Sequence, residues 1–134
     1  MKNPDQKKFI QRQLSHTKGL FLLRTIIGII FLSHGIAKVI TGIPPFATML
    51  QNLGVPVPFV MAVIVIAIEI IGGAALIVNT SLVLTSVALS LNMLGALFLV
   101  HISKGWFAGS GGAEFVVLLL AGLITIAINA RKKE

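Results

Sequence analysis

Arg24, His34, Lys38, Glu69, His101 and Glu114 stand inside or at the edge of apolar runs long enough to cross a lipid bilayer. A charged side chain at membrane depth costs about 2.5–3.5 kcal/mol on insertion scales, so such residues face partners or cavities and mark function. The set is balanced, with two cations, two carboxylates and two histidines, and histidine is the side chain that exchanges protons near neutral pH. The chemistry on offer is proton exchange and polar recognition inside an apolar medium.

The elements that must hold these groups follow from composition. The 134 residues are 56% hydrophobic and 11% charged, with a mean hydropathy of +0.99. A helical span needs about 20 apolar residues. Four such stretches fit, at about Leu20–Ile40, Pro58–Val78, Leu82–Ile102 and Gly111–Ala130. The expected fold is an all-α membrane protein, one domain over residues 1–134 forming a four-transmembrane-helix bundle.

The net charge of +7 reads as topology, not nucleic-acid binding. Lys2, Lys7, Lys8, Arg12 and Lys18 precede the first span and Arg131, Lys132 and Lys133 follow the last; only Lys38 and Lys104 fall at the opposite ends. The positive-inside bias then puts both basic tails, 1–19 and 131–134, in the cytoplasm of a multi-pass plasma-membrane protein, where anionic lipid attracts them. No cysteine is present, which excludes disulfides, thiol relays, iron–sulfur clusters and thiolate zinc sites. The first span is too long for a cleaved signal peptide.

Before the first span, Gln6–Lys18 reads as a weakly amphipathic helix on the membrane surface. In the outer loop Ile43–Pro58, Phe46, Met49, Leu50 and Leu53 repeat at i, i+3, i+4, i+7, predicting a short interfacial helix lying as a cover over the bundle. Asn79-Thr80-Ser81 makes a tight hairpin, and Trp106 and Phe107 suit the opposite membrane interface. The apolar run Phe115–Ile128 spans only about 21 Å, so the fourth helix must reach back to about Gly111 and bring Glu114 into the membrane.

Helical spacing at 100° per residue sets the faces. Arg24, His34 and Lys38 fall within an arc of about 80°, with Phe31 inside it and Gly28 and Gly35 beside it. Glu69 shares a face with Ala62, Gly72 and Gly73, and Glu114 with Ala121, Thr125 and Asn129. These are packing faces, since small residues let helices approach. His101 and Asn92 fall half a turn apart, which assigns one of them to a second interface such as a homo-oligomer contact. By depth, His34, Lys38, His101, Lys104 and Glu114 gather in the outer half over a midplane Glu69, while Arg24 lies at the inner edge as a headgroup anchor. The competing structural readings are snorkelling for Lys38 and Lys104, an interhelical ion pair for Glu69, and satisfied interhelical histidines for His34 and His101.

The chain resembles the DoxX family of small four-helix membrane proteins. The resemblance rests on Arg24-x3-Gly28-x2-Phe31-x2-His34-Gly35-x2-Lys38, Gly54-Val55-Pro56-Val57-Pro58, Glu69-x2-Gly72-Gly73 and His101-x3-Gly105-x-Phe107 with Glu114, over roughly residues 20–128. It implies a membrane-bound, oxidoreductase-type role linked to quinones. Small single-chain relatives in Gram-positive bacteria, which the chain resembles, look like oxidoreductases tied to catechol or quinone stress.

On that reading, His34, Lys38, Glu69, His101 and Glu114 bind the substrate, and Glu69 and His34 exchange protons. The cofactor expected is a quinone of menaquinone or ubiquinone type, its isoprenoid tail in the apolar bundle. No dinucleotide fingerprint is present, because Gly109-Ser110-Gly111-Gly112 lacks a strand–helix context. Electrons would come from a soluble redox partner protein or from a quinol. No metal site is expected. His34 and His101, about 21 and 28 Å from the cytoplasmic ends of their helices, match poorly as axial ligands of one haem. The alternatives are a small proton-coupled transporter and a non-catalytic membrane scaffold for a soluble redox enzyme.

Overall fold

Asn3 and Pro4 open the first helix of the computed structural model, which describes residues 3–131. Lys2, Lys132, Lys133 and the side chain of Arg12, counted above as topology signals, lie outside what it describes. The Asn3 side chain accepts a hydrogen bond from the Asp5 amide, Pro4 supplies a preset φ, and Asp5 complements the helix dipole. Helix α1 then runs unbroken over Pro4–Thr41. The separate surface helix expected at Gln6–Lys18 is therefore the first part of α1. Nothing between the two segments breaks a helix except Gly19, whose cost of about 1 kcal/mol is too small to do so.

At Gly42, with φ 103°, the chain turns into α2, Ile43–Asn52, with Pro44 and Pro45 in its first turn. The end of α2 is sealed by paired bonds from the Gly54 amide to the Gln51 carbonyl and from the Val55 amide to the Leu50 carbonyl, a Schellman closure. Helix α3, Pro58–Val78, stops at left-handed Asn79. Helix α4, Leu82–Ala96, continues through a π turn at Leu97–His101 and a 3-10 turn at Ile102–Lys104. A 3-10 turn at Ala108–Ser110 precedes α5, Glu114–Arg131. No strand occurs among the described residues.

Four segments are long and apolar enough to span a bilayer: Thr17–Thr41, Pro58–Val78, Leu82–Lys104 and Glu114–Arg131. Only 22–28% of each apolar window is buried, so most of these side chains face outward as a hydrocarbon-compatible surface. The chain is a multi-pass, all-helical membrane protein.

The bundle has tight pairs α1–α3 and α4–α5, joined by α3–α4 and α1–α5. Glycines set the approach. A Cβ on Gly73 would lie 2.6 Å from the Leu32 amide nitrogen and 2.7 Å from the Gly28 carbonyl oxygen. Across the other seams, Gly72 meets Leu89 and Gly122 meets Ile27. Phe31, Leu76, Leu89 and Leu123 fill the centre. A smaller cluster of Ala47, Leu50 and Ala62 fixes α2 against α3.

Candidate functional site

Gly35 brings α1 against α3 where the site is made: a Cβ there would stand 2.6 Å from Ile70 Cγ1 and 3.1 Å from Glu69 Cβ. One turn later Lys38 reaches across, its Nζ 2.7 Å from Glu69 Oε1 and 2.5 Å from Oε2. Asn92 on α4 donates from Nδ2 to the same Oε1 at 3.3 Å. Glu69 is 4% exposed, so its carboxylate is removed from the surroundings but supplied with donors from two neighbouring helices. The Lys38 ammonium also lies 5.2 Å from the centre of the Phe46 ring, a cation–π contact that ties α2 to the pair.

This polar group stands in the wall of a cavity of about 530 Å³, a size typical of small-molecule sites. His34, Lys38, Glu69, Asn92 and His101 contribute its polar surface, and the remainder is overwhelmingly apolar. Phe46, Met49, Leu50 and Val55, from α2 and the turn after it, line one end.

The cavity arises from the way the helices separate. Helices α3 and α4 touch at Gly72–Leu89 and at Glu69–Asn92, and α1 and α5 touch at Ile27–Gly122. Beyond these levels the facing residues line the cavity instead: Met61, Ile64 and Val65 on α3, Gly95 and Leu99 on α4, His34 on α1 and Phe115 on α5. The bundle is closed toward the Asn79–Ser81 hairpin and open toward α2.

His101 and Asn92 both line the cavity, although regular helical spacing sets them on opposite faces. The π turn at Leu97–His101 accounts for the difference, because each i→i+5 turn absorbs an extra residue and rotates the rest of the helix. His101 Nδ1 lies 2.7 Å from the Gly111 carbonyl oxygen. A carbonyl only accepts, so Nδ1 carries the hydrogen, which leaves Nε2 free to face the cavity. His34 lines the cavity from an exposed position.

Glu114, Lys104 and Arg24 are placed elsewhere. Glu114 is the first residue of α5, and its Oε1 accepts the Ala108 amide at 2.7 Å. It stitches the 105–113 loop together with bonds from the Ala113 amide to the Gly105 carbonyl and from the Glu114 amide to the Trp106 carbonyl. The Lys104 stem packs on Gly111. Arg24 donates from Nη1 to the Leu76 and Ile77 carbonyls at the end of α3 and stacks on Phe21. It caps the last turn of α3, which carries no basic residue of its own.

Asn92 is the group that sequence reasoning left out of the site. Its signal was present: Glu69 and Asn92 stand almost equally far from the Asn79–Ser81 hairpin, so antiparallel helices must bring them level.

The DoxX family model matches residues 19–102. The Bacillus subtilis (strain 168) protein named "Putative oxidoreductase CatD" is 32% identical over 114 residues, covering 85% of this chain and 81% of that protein. No solved structure gives a significant match.

Proposed function

From the premise that this chain belongs to the DoxX family, we propose that its cavity receives the head of a membrane quinone or quinol, of menaquinone or ubiquinone type, and that the protein is the membrane component of a quinone-linked oxidoreductase. The observation that carries this reading is the Lys38–Glu69–Asn92 group in the wall of a large, otherwise apolar cavity. Such a site suits an amphiphile with a polar ring.

The donors and acceptors in the cavity wall suit that head. Lys38 has three ammonium protons, of which two are directed at Glu69, leaving one for a ligand carbonyl. Asn92 has two amide protons and one is committed to Glu69. His101, held by Gly111, offers Nε2 to a ligand hydroxyl, and His34 exchanges protons at the exposed margin of the cavity. Glu69 keeps the Lys38 charge balanced and accepts a proton when that balance changes. A bound quinone supplies two-electron, two-proton carrier chemistry. The electrons come from a reduced soluble partner or from a quinol. We place both termini in the cytoplasm of the cell membrane, with the cavity in the outer half and α2 along the outer interface. The 13 residues of α1 before Thr17, about 20 Å of helix, are then the element a cytoplasmic partner meets.

The test is the quinone content of protein purified in mild detergent, measured by extraction and chromatography. Glu69→Gln and His34→Ala should each lower it, Glu69→Gln by about tenfold or more, since a hydrogen bond to a charged group contributes about 1.5–3 kcal/mol. If both variants keep their quinone and their thermal stability, the quinone reading fails and a scaffold role replaces it. A Soret band in the same preparation would point to haem instead.

A further inference from the structure

Gly95 differs from the glycines at which the helices of the bundle meet; it shares its open surroundings with Gly19, near the start of the first span, but Gly19 lines no part of the cavity. Gly28, Gly35, Gly72, Gly73 and Gly122 each have a neighbour that a Cβ would press upon. Gly95 has nothing within 4 Å of that position, although it lies inside α4. A glycine in a helix interior costs about 1 kcal/mol relative to alanine. No contact within the protein requires that cost here.

What surrounds Gly95 is the cavity, which it lines together with residues one helical turn away on either side, Leu91 and Leu99. Leu91 is 65% exposed and Leu99 43%, and facing them from α3 are Met61 and Ile64, also exposed cavity-lining residues. The cavity therefore reaches the molecular surface between α3 and α4, within two segments long and apolar enough to span the bilayer. This opening is entirely apolar, while the polar groups of Glu69 and Asn92 stand where the two helices come together.

We propose that the α3–α4 gap over Gly95 is a lateral portal, through which the isoprenoid tail of the ligand passes from the cavity into the bilayer. The inference rests on the quinone reading above and adds the route by which the tail of that membrane-resident quinone leaves the cavity. The apolar rim receives a hydrocarbon chain without desolvating any polar group, and glycine at position 95 leaves the chain its width.

The experiment compares binding of menadione, a naphthoquinone without a tail, and menaquinone-4, the same ring with an isoprenoid chain, to the purified protein in detergent. Both are read by equilibrium dialysis and extraction. Gly95→Trp should weaken menaquinone-4 about tenfold or more, about 1.4 kcal/mol, and leave menadione within about twofold. Ile64→Trp, on the facing wall and already outward-facing, should give the same selective loss. The portal is overturned if both variants bind menaquinone-4 as the native protein does. It is equally overturned if both lose the two ligands in parallel, for then the gap is head-group space or a packing contact. Failure of the native protein to bind either quinone removes the underlying quinone reading itself.

Discussion

Lys38 and Glu69 are costly residues made tolerable by each other. Removing one partner of a buried pair leaves an uncompensated charge and costs about 3–5 kcal/mol, whereas replacing both by apolar residues is often neutral. Lys38→Met should therefore lower the unfolding temperature in detergent strongly, and Lys38→Met/Glu69→Leu should recover most of the loss while binding no quinone. Denaturation of the three proteins, with quinone content measured alongside, separates the pair's structural role from its proposed chemical one. Equal destabilisation of the single and double variants would show that the pair does not act as a unit. Arg24 carries a comparable test. Its guanidinium serves two orphan carbonyls of α3, so Arg24→Ala should cost about 1–3 kcal/mol and chiefly loosen the last turn of that helix, read by hydrogen exchange at Leu76–Asn79. Sequence placed Arg24 at the hairpin end of the bundle, where it is found, but assigned it to lipid headgroups. Depth comes from counting residues along one helix, whereas a partner on another helix depends on how the two pack.

At the scale of elements, the faces of α1 and α3 were legible because those helices are regular over their apolar segments: Gly28, Phe31, Gly35, Glu69, Gly72 and Gly73 are all buried. The same count failed on α5, where Ala121 and Thr125 of the expected packing stripe are exposed and Val116, Leu119, Gly122, Leu123 and Ile126 are buried instead, and on α4. Nine residues at about 100° each separate Asn92 from His101 by half a turn, but a π turn that absorbs one of them reduces the separation to about 80°. Nothing in Leu97-Phe98-Leu99-Val100 announces such a turn, which the packing of the whole helix decides. Glu114 shows the converse: its helix start lay close to the sequence estimate, yet the path of the 105–113 loop drew its carboxylate to Ala108. These packing differences predict unequal responses to the same small substitution. Gly73→Ala must push a Cβ against the backbone of α1 and should cost about 1–3 kcal/mol, with a lower unfolding temperature. Gly95→Ala enters open space and should leave stability unchanged or slightly higher, since alanine favours the helix. Equal losses in the two variants would mean that α3 and α4 do not separate at Gly95.

The molecule as a whole is asymmetric, closed by glycine contacts toward the Asn79–Ser81 hairpin and widened into a cavity toward α2 and the 105–113 loop. The orientation proposed above, with the wide end outside, rests on charge. Lys7, Lys8, Lys18 and Arg131 cluster beyond the hairpin end, while Lys38, committed to Glu69, and Lys104 are the basic side chains at the other. The insertion rule counts such unequal lysine and arginine placement over short loops and tails, and the proposal that the hairpin end lies inside follows from it. The absence of cysteine makes this directly measurable, because any introduced thiol is the only one in the chain. Gln51→Cys on α2 and Ala108→Cys in the loop should react with a membrane-impermeant maleimide on intact cells, both native side chains being exposed. Thr80→Cys, exposed in the hairpin, should react only after the membrane is opened. The reverse pattern would turn the cavity toward the cytoplasm, where His34 and His101 would exchange protons with the inner compartment. Two-proton chemistry at the site would then release or take up protons on the other side of the membrane. Orientation therefore fixes the direction in which any quinone reaction here contributes to the proton gradient.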